Sequence, residues 1–417
     1  MNKVQNIFKI LNNRKKGKIT EQKSVLELNE SKANINKIDI KEIKSNNKME
    51  IKKPIIKKRK PDVDLMRIIS MYAITLHHLL VHGRAIGKYK FKELRLLNIL
   101  TYWHVSSFAL ISGIIGYKTN KYSNLLYLWI WTVFYSVGIF LLAKKFRPKW
   151  VEKSSIFYQF FPVIFIQYWY FTQYFGMYFF LPIINKGISL LNKSELKMVC
   201  TSLLCIFVIY KDLMNPKSDS FRICSGYSVA SFLILFITGA YFGKYKIIFN
   251  GTINKIIFCF FCICVYISSS LICYYFGVFY YDSVLLLKLK ALYIQRINSF
   301  PMLAQSFSII LFLMQLKYNK YLGKIILFIG PLTFGVYLIH EHPLVRSYII
   351  RELFNKDPIN LSLKAVIKLT IFKAFIVFMI CTIIDYFREL LFRLLRIRQF
   401  CIFIMNKITQ IFEKNLF

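Results

Sequence analysis

Acidic residues are scarce in this 417-residue chain: 20 Asp and Glu stand against 58 Lys and Arg, a formal net charge of +38. In a soluble protein such an excess would favour nucleic-acid binding, but no nucleic-acid motif accompanies the charge. The basic residues lie mostly at the ends of apolar segments, as Lys and Arg do beside anionic lipid headgroups. We therefore expect membrane lipids as partners of this charge, and no nucleic acid.

Long apolar segments stand where a soluble protein would have polar residues. Hydrophobic residues make up 56% of the chain and aromatic residues 17%. After residue 60, apolar runs of about 20 residues recur, and each can cross a bilayer at about 1.5 Å per residue. They are predicted at 65–82, 96–116, 122–143, 163–184, 196–210, 228–243, 256–277, 300–316, 325–349 and 365–387. The sequence thus predicts an all-α integral membrane protein, a bundle of about ten transmembrane helices.

Two further absences concern cysteine chemistry and targeting. The nine cysteines are odd in number, lie mostly in apolar segments and include no pair of CxxC motifs. We expect them to be small buried side chains, since neither a disulfide framework nor a zinc site fits this pattern. The first 60 residues are polar and show no secretory signal. The first membrane helix is therefore expected to direct insertion.

Charge and hydropathy divide the chain into three parts. Residues 1–60 are basic and poor in aromatic residues, so we expect a disordered tail. Residues 61–390 form the predicted transmembrane domain, and residues 391–417 a basic amphipathic C-terminal tail. Ten spans place both tails on one side, and the basic residues beside the first and last spans indicate the cytoplasm. We expect a multi-pass plasma-membrane protein, although the predicted outer loops 83–95 and 144–153 are basic and contradict the charge rule.

All six histidines lie in or beside apolar segments. They are His77, His78, His82, His104, His340 and His342. An ionised side chain at the centre of a membrane helix costs about 2.5–3.5 kcal/mol, so an ionisable residue there indicates function by default. Hydrogen bonds between helices are the alternative explanation. An interfacial hydrogen bond explains His104 equally well, and structure at a helix end explains His342 equally well, whereas the depth of His78 favours a functional role.

Arg67 and His78 are eleven residues apart in the first apolar segment. In a helix this spacing places them on one face, about 16 Å apart. An acyl-CoA has a matching shape, with anionic phosphates at one end and a thioester at the tip of a long arm. The planar donors of Arg67 suit phosphate, and His78 can take the proton of a hydroxyl that attacks the thioester. A topology-setting residue at the interface is an equally good interpretation of Arg67.

Arg67 and His78 also begin a series of motifs. The series continues with FALISG at 108–113, LWIWTVFY at 128–135, QYWY at 167–170, FITGAYFGK at 236–244 and FGVYLIHEHP at 334–343. In this order, over residues 61–390, it resembles the acyltransferase-3 superfamily, membrane enzymes that O-acylate sugars and polysaccharides, and within it the capsule-type members.

The resemblance implies a role for each matching position. His78 would be the general base, with Arg67 and His340 as further catalytic residues. The implied CoA contacts are Arg67, Ser112, Gly113, Lys118 and Lys121, and the implied acceptor contacts are Glu341, His77 and His82. Lys118 and Lys121 stand where many members have an arginine pair, so bidentate contact with phosphate is lost. No metal is expected.

The implied function is transfer of an acyl group, in the first instance acetyl, from acyl-CoA to a sugar hydroxyl of a cell-surface glycan or its lipid-linked precursor. A glycan or lipid transporter or flippase is the alternative, but the repeated halves typical of transporters are missing. A haem or metal protein is a second alternative. His78 and His82, one turn apart, could supply two ligands, but Glu341 is the one acid suitably placed to join them.

Overall fold

The computed structural model describes residues 59–415 except 119–121, 153, 211–220, 222, 224–225, 247–250 and 279–295. This part of the chain contains helices and no strand. The helices are α1 Pro61–Val81, α2 Ala85–Tyr89, α3 Lys92–Ile99, α4 His104–Gly116, α5 Tyr122–Phe146, α6 Ile156–Phe160, α7 Trp169–Tyr178, α8 Leu181–Leu190, α9 Lys193–Leu204, α10 Val229–Lys244, α11 Thr252–Val278, α12 Phe300–Met314, α13 Lys320–Ile329, α14 Thr333–His340, α15 Pro343–Tyr348, α16 Leu363–Leu394 and α17 Ile397–Asn415. The predicted disordered tail at 1–60 lies almost wholly outside the described residues.

Several helical stretches have the length and composition of membrane spans. Five stretches qualify: Lys92–Gly116, Tyr122–Phe146, Thr252–Phe276, Lys320–His340 and Leu363–Leu394. The apolar helices α10 and α12 are shorter. Helix α1 has 21 residues, about 30 Å, but its charged residues and histidines lower its hydropathy. The all-helical prediction is confirmed for the described residues, and these five helices indicate a membrane protein, whereas the count of ten spans is not confirmed.

Prolines break two of the predicted spans. The segment predicted at 163–184 forms α7 and α8, and Pro182 lies in the first turn of α8. The segment predicted at 325–349 is divided by Pro331, in a 3₁₀ turn between α13 and α14, and by Pro343 at the start of α15. Proline lacks the amide hydrogen that an α-helix interior requires but fits its first turn. Each of these prolines therefore begins a new helix.

Helix α1 occupies a central place in the fold. It packs against α4, α12, α13, α14 and α16. The beginning of α1 lies beside the turn that precedes α14, where Asp64 contacts Gly330. Towards its end, His78 contacts His340, the last residue of α14. Helices α1 and α14 therefore run in the same direction, and this brings two distant segments of the sequence to one site.

Helices α4 and α10 approach each other backbone to backbone. A Cβ added at Gly239 would overlap the carbonyl oxygen of Leu110, and one at Gly113 would overlap the carbonyl oxygen of Phe236. In membranes, small residues at helix contacts permit this approach. This close contact positions α4, which carries the predicted site residues Ser112 and Gly113.

We expect Gly239→Ala to destabilise the fold by about 1–3 kcal/mol, because the added methyl group must push the two backbones apart. Unfolding of the purified protein in detergent would measure the change. Gly138→Ala is the matched control, since nothing lies within 4 Å of a Cβ at Gly138 of α5; it should be neutral or stabilising by up to about 1 kcal/mol. Equal stability of the two variants would contradict the close contact.

Candidate active site

A cavity of about 240 Å³ lies along α1. Arg59 and Arg67 belong to its lining at the beginning of α1, and His78 and His104 belong to it some three helical turns further on. Apolar and aromatic side chains make up much of the remaining wall, among them Met71, Ile74, Phe108, Trp131, Phe171 and Phe334. The cavity is therefore a largely apolar passage with cations at one end and imidazoles at the other.

Two arginines share one carboxylate at the first end of the cavity. Arg67 Nη1 donates to Asp64 Oδ1 at 2.7 Å. Arg59 donates to the same carboxylate through Nη2 at 2.8 Å and Nε at 2.9 Å. Asp64 is buried and neutralises only one of the two guanidinium groups, so this end keeps a net positive charge and favours an anion. Sequence reasoning missed Arg59, whose signal was the basic stretch directly before α1.

The ring of His78 is held by a chain of hydrogen bonds. His340 Nδ1 is 2.6 Å from the carbonyl oxygen of Val336. A carbonyl only accepts, so His340 must donate from Nδ1, and in the neutral ring Nε2 must then accept. His78 Nδ1 lies 2.9 Å from His340 Nε2 and is therefore the donor in that bond. The remaining nitrogen of His78, Nε2, is left with a free lone pair, as a general base requires.

Glu341 places a carboxylate beside the same ring. Its Oε2 lies 3.0 Å from His78 Nδ1, and its Oε1 accepts from Arg346 Nη1 at 2.5 Å. Glu341 is only 2% exposed. An anion at this distance stabilises the imidazolium that forms when His78 takes up a proton.

The other histidines differ in their surroundings. His77 Nδ1 is paired with Asn98 Oδ1 at 2.7 Å, behind His78. His82, half-buried, has its ring centroid 5.0 Å from that of His78. His104 is buried against the carbonyl of Thr101 and lines the cavity.

His342 has a structural explanation. Its Nδ1 accepts from the Leu344 amide at 3.2 Å, so the side chain caps the beginning of α15. The interpretation of His342 as a helix-end residue agrees with this contact.

The residues predicted to contact CoA lie in different parts of the structure. Ser112 lines the cavity, and its hydroxyl donates to the carbonyl one turn earlier. Gly113 does not line it and packs on α10. Lys118 belongs to a second, more polar cavity that Lys244 also lines. Lys121 lies outside the described residues. Of this set, only Arg67 and Ser112 are brought to the main cavity.

A family model described as an acyltransferase domain matches residues 60–386. The match covers most of the chain and includes every predicted site residue. The chain belongs to the acyltransferase-3 family. The resemblance seen in the sequence is thus confirmed, and the protein is a membrane acyltransferase. No curated protein and no solved structure matches it.

Proposed function

We propose that this acyltransferase moves an acyl group, in the first instance acetyl, from acyl-CoA to a hydroxyl of a sugar in a cell-surface glycan or its lipid-linked precursor. The observation that supports it best is one cavity lined by two arginines at one end and by His78 at the other. A donor with anionic phosphates and a reactive group on a long arm fits this arrangement. A transporter needs no imidazole with a fixed free lone pair.

The donor would enter at the end of the cavity that Arg59 and Arg67 line. Their guanidinium groups offer several donors, and phosphate oxygens can compete with Asp64 for them. The apolar wall then suits the less polar arm, and the thioester reaches His78. Acyl-CoA is made in the cytoplasm, so we place this end of the cavity, and with it both termini, on the cytoplasmic side of the plasma membrane.

The transfer step follows from the hydrogen bonds of His78. The Nε2 atom takes the proton of the acceptor hydroxyl while the oxygen attacks the thioester carbonyl carbon. The tetrahedral intermediate then collapses, the carbon–sulfur bond breaks, and the CoA thiolate takes the proton from the imidazolium. The products are an ester and a free thiol, so no proton is gained or lost. His340 fixes the tautomer of His78, and Glu341 stabilises its charged form.

The acceptor would lie on the side of His78 that is away from the arginines. His82, one turn further along α1, is half-buried and can contact a sugar hydroxyl. His77 directly precedes His78, and its ring is already hydrogen-bonded to Asn98. His77 would therefore contact the acceptor only from one side. Lys118 would contact the donor only from the second cavity.

Arg67→Ala should raise the KM for acetyl-CoA by roughly tenfold or more, because a hydrogen bond to a charged group contributes about 1.5–3 kcal/mol. The kcat should change less, since Arg67 lies far from the reacting bond. Initial rates of thiol release by the purified protein in lipid nanodiscs measure both constants. Arg393→Met is the control, because that side chain is 71% exposed on the end of α16 and should leave both unchanged.

The same assay tests the proposal as a whole. We expect the purified protein to bind CoA and to release the thiol from acetyl-CoA faster when a sugar acceptor is added. A folded protein that neither binds CoA nor consumes acetyl-CoA would favour the transporter interpretation. An unchanged KM in Arg67→Ala would remove the phosphate contact from the proposal.

A further inference from the structure

Two histidines and one glutamate meet at His78, the residue that lines the cavity at the end away from the arginines. His82 directly follows α1, one helical turn after His78, and Glu341 directly follows α14. One potential ligand atom from each residue lies within 4.8 Å of the other two. The i, i+4 spacing of the histidines places both on one helix face, as in helical zinc sites. Glu341, the acid that the sequence offered as a partner for these histidines, is brought beside them by the fold.

Glu341 offers a second, independent indication of a ligand. Its Oε2 is buried and accepts no hydrogen bond from the described residues, because His78 Nδ1, 3.0 Å away, donates its hydrogen to His340, whereas Oε1 is held by Arg346. Buried polar atoms in proteins nearly always have a partner, so one without it often marks an ion or water site. The side chain of His82 likewise makes only a ring contact with His78 in the described part of the chain.

We propose that His78, His82 and Glu341 bind a divalent cation of the zinc type, and that this cation inhibits the transferase. Two imidazoles and one carboxylate are a donor set that Zn²⁺ prefers, with a fourth position open to water. Hard cations such as Mg²⁺ prefer oxygen ligands and should bind poorly. The half-buried ring of His82 gives the ion a path from the surface.

Inhibition follows from which nitrogen of His78 binds the ion, and it rests on the proposed function. His78 Nδ1 is the atom 3.0 Å from Glu341 Oε2. To ligate, Nδ1 must lose its hydrogen and its bond to His340, and the neutral ring then carries its proton on Nε2. A His78 ring in this tautomer cannot accept a proton from the acceptor. Metal binding and general-base catalysis therefore exclude each other.

Calorimetric titration of the full-length, chelator-treated protein tests the site. We expect one Zn²⁺ per chain, and no comparable heat with Mg²⁺. Loss of even an outer partner of a metal ligand weakens binding by about 10- to 100-fold, so His82→Ala and Glu341→Gln should weaken it by at least about 100-fold. His77→Gln is the matched control: it is a neighbour on α1 that keeps a partner for Asn98, and it should bind Zn²⁺ like the wild type.

Three outcomes would overturn all or part of the proposal. No Zn²⁺ binding by the wild type, or equal binding by His82→Ala, removes the site. Zn²⁺ binding that leaves acetyl transfer unaffected, or restores it, removes the inhibitory role. A metal-free protein that folds but never transfers acetyl would refute the proposed function while leaving the binding site intact. Should Glu341→Gln fail to fold, His82→Ala decides, because the side chain of His82 is half-buried and makes no hydrogen bond with the described residues.

Discussion

Replacing His78 by Ala should lower the turnover of acetyl-CoA and acceptor by about 10²- to 10⁴-fold, the usual contribution of a general base. The methyl group of Ala cannot take the proton of the attacking hydroxyl, and no other imidazole is held in the same position. His340 is 2.9 Å from His78, but its Nδ1 is engaged by Val336, and it does not line the cavity. We therefore expect little rescue by His340.

The loss must be separated from a loss of folding or of donor binding. Acyl transfer would be followed by mass spectrometry of the acceptor, CoA binding by calorimetry, and folding by the unfolding midpoint in detergent. We expect CoA binding to persist, because Arg59 and Arg67 lie at the other end of the cavity. Wild-type turnover in His78→Ala would refute the assigned base, whereas equal loss of CoA binding would indicate a role in shaping the cavity.

The sequence predicted those site residues whose relative positions are determined by a single helix. Arg67 and His78 share a face of α1 because of helical periodicity alone, and the cavity is lined by both. The pairing of His78 with His340 could not be derived in the same way, since 262 residues separate them. Only the family resemblance suggested that these two segments act together.

The sequence also could not predict which residues of an apolar membrane helix face the cavity and which face a neighbouring helix. Helix α4 is apolar on almost all sides, so no polar face indicates its orientation. Ser112 therefore lies at the cavity while its neighbour Gly113 contacts α10, although both were predicted to contact CoA. The proline breaks that divide two predicted spans arise similarly, because apolar composition continues through Pro182 and Pro331.

A second buried network carries no predicted catalytic residue but stabilises the wall of the cavity. Asp385 Oδ2 accepts from Arg388 Nη2 at 2.6 Å, and its Oδ1 accepts from Trp131 Nε1 at 3.1 Å and Tyr135 Oη at 2.9 Å. The guanidinium carbon of Arg388 lies 3.6 Å from the ring centroid of Trp131, which lines the cavity. Arg388 also pairs with Glu389 at 2.7 Å.

Arg388→Met should destabilise the protein by about 3–5 kcal/mol, the usual effect of removing one partner of a buried ion pair. Asp385 is fully buried, so its carboxylate would be left without a cation in a low-dielectric surrounding. Unfolding of the purified protein in detergent, followed by circular dichroism, measures the change. Arg393→Met is the matched control, because Arg393 also pairs with Glu389 but is 71% exposed; it should change stability by at most about 1 kcal/mol.

The double variant Asp385→Asn with Arg388→Met separates charge from packing. If the destabilisation comes from the unpaired carboxylate, removing its charge should restore most of the stability, since replacing both members of a buried pair is often nearly neutral. If Arg388 acts chiefly by packing on Trp131, the double variant should be no more stable than Arg388→Met. The first result would show that Arg388 stabilises the last turns of α16 chiefly by neutralising the buried carboxylate of Asp385.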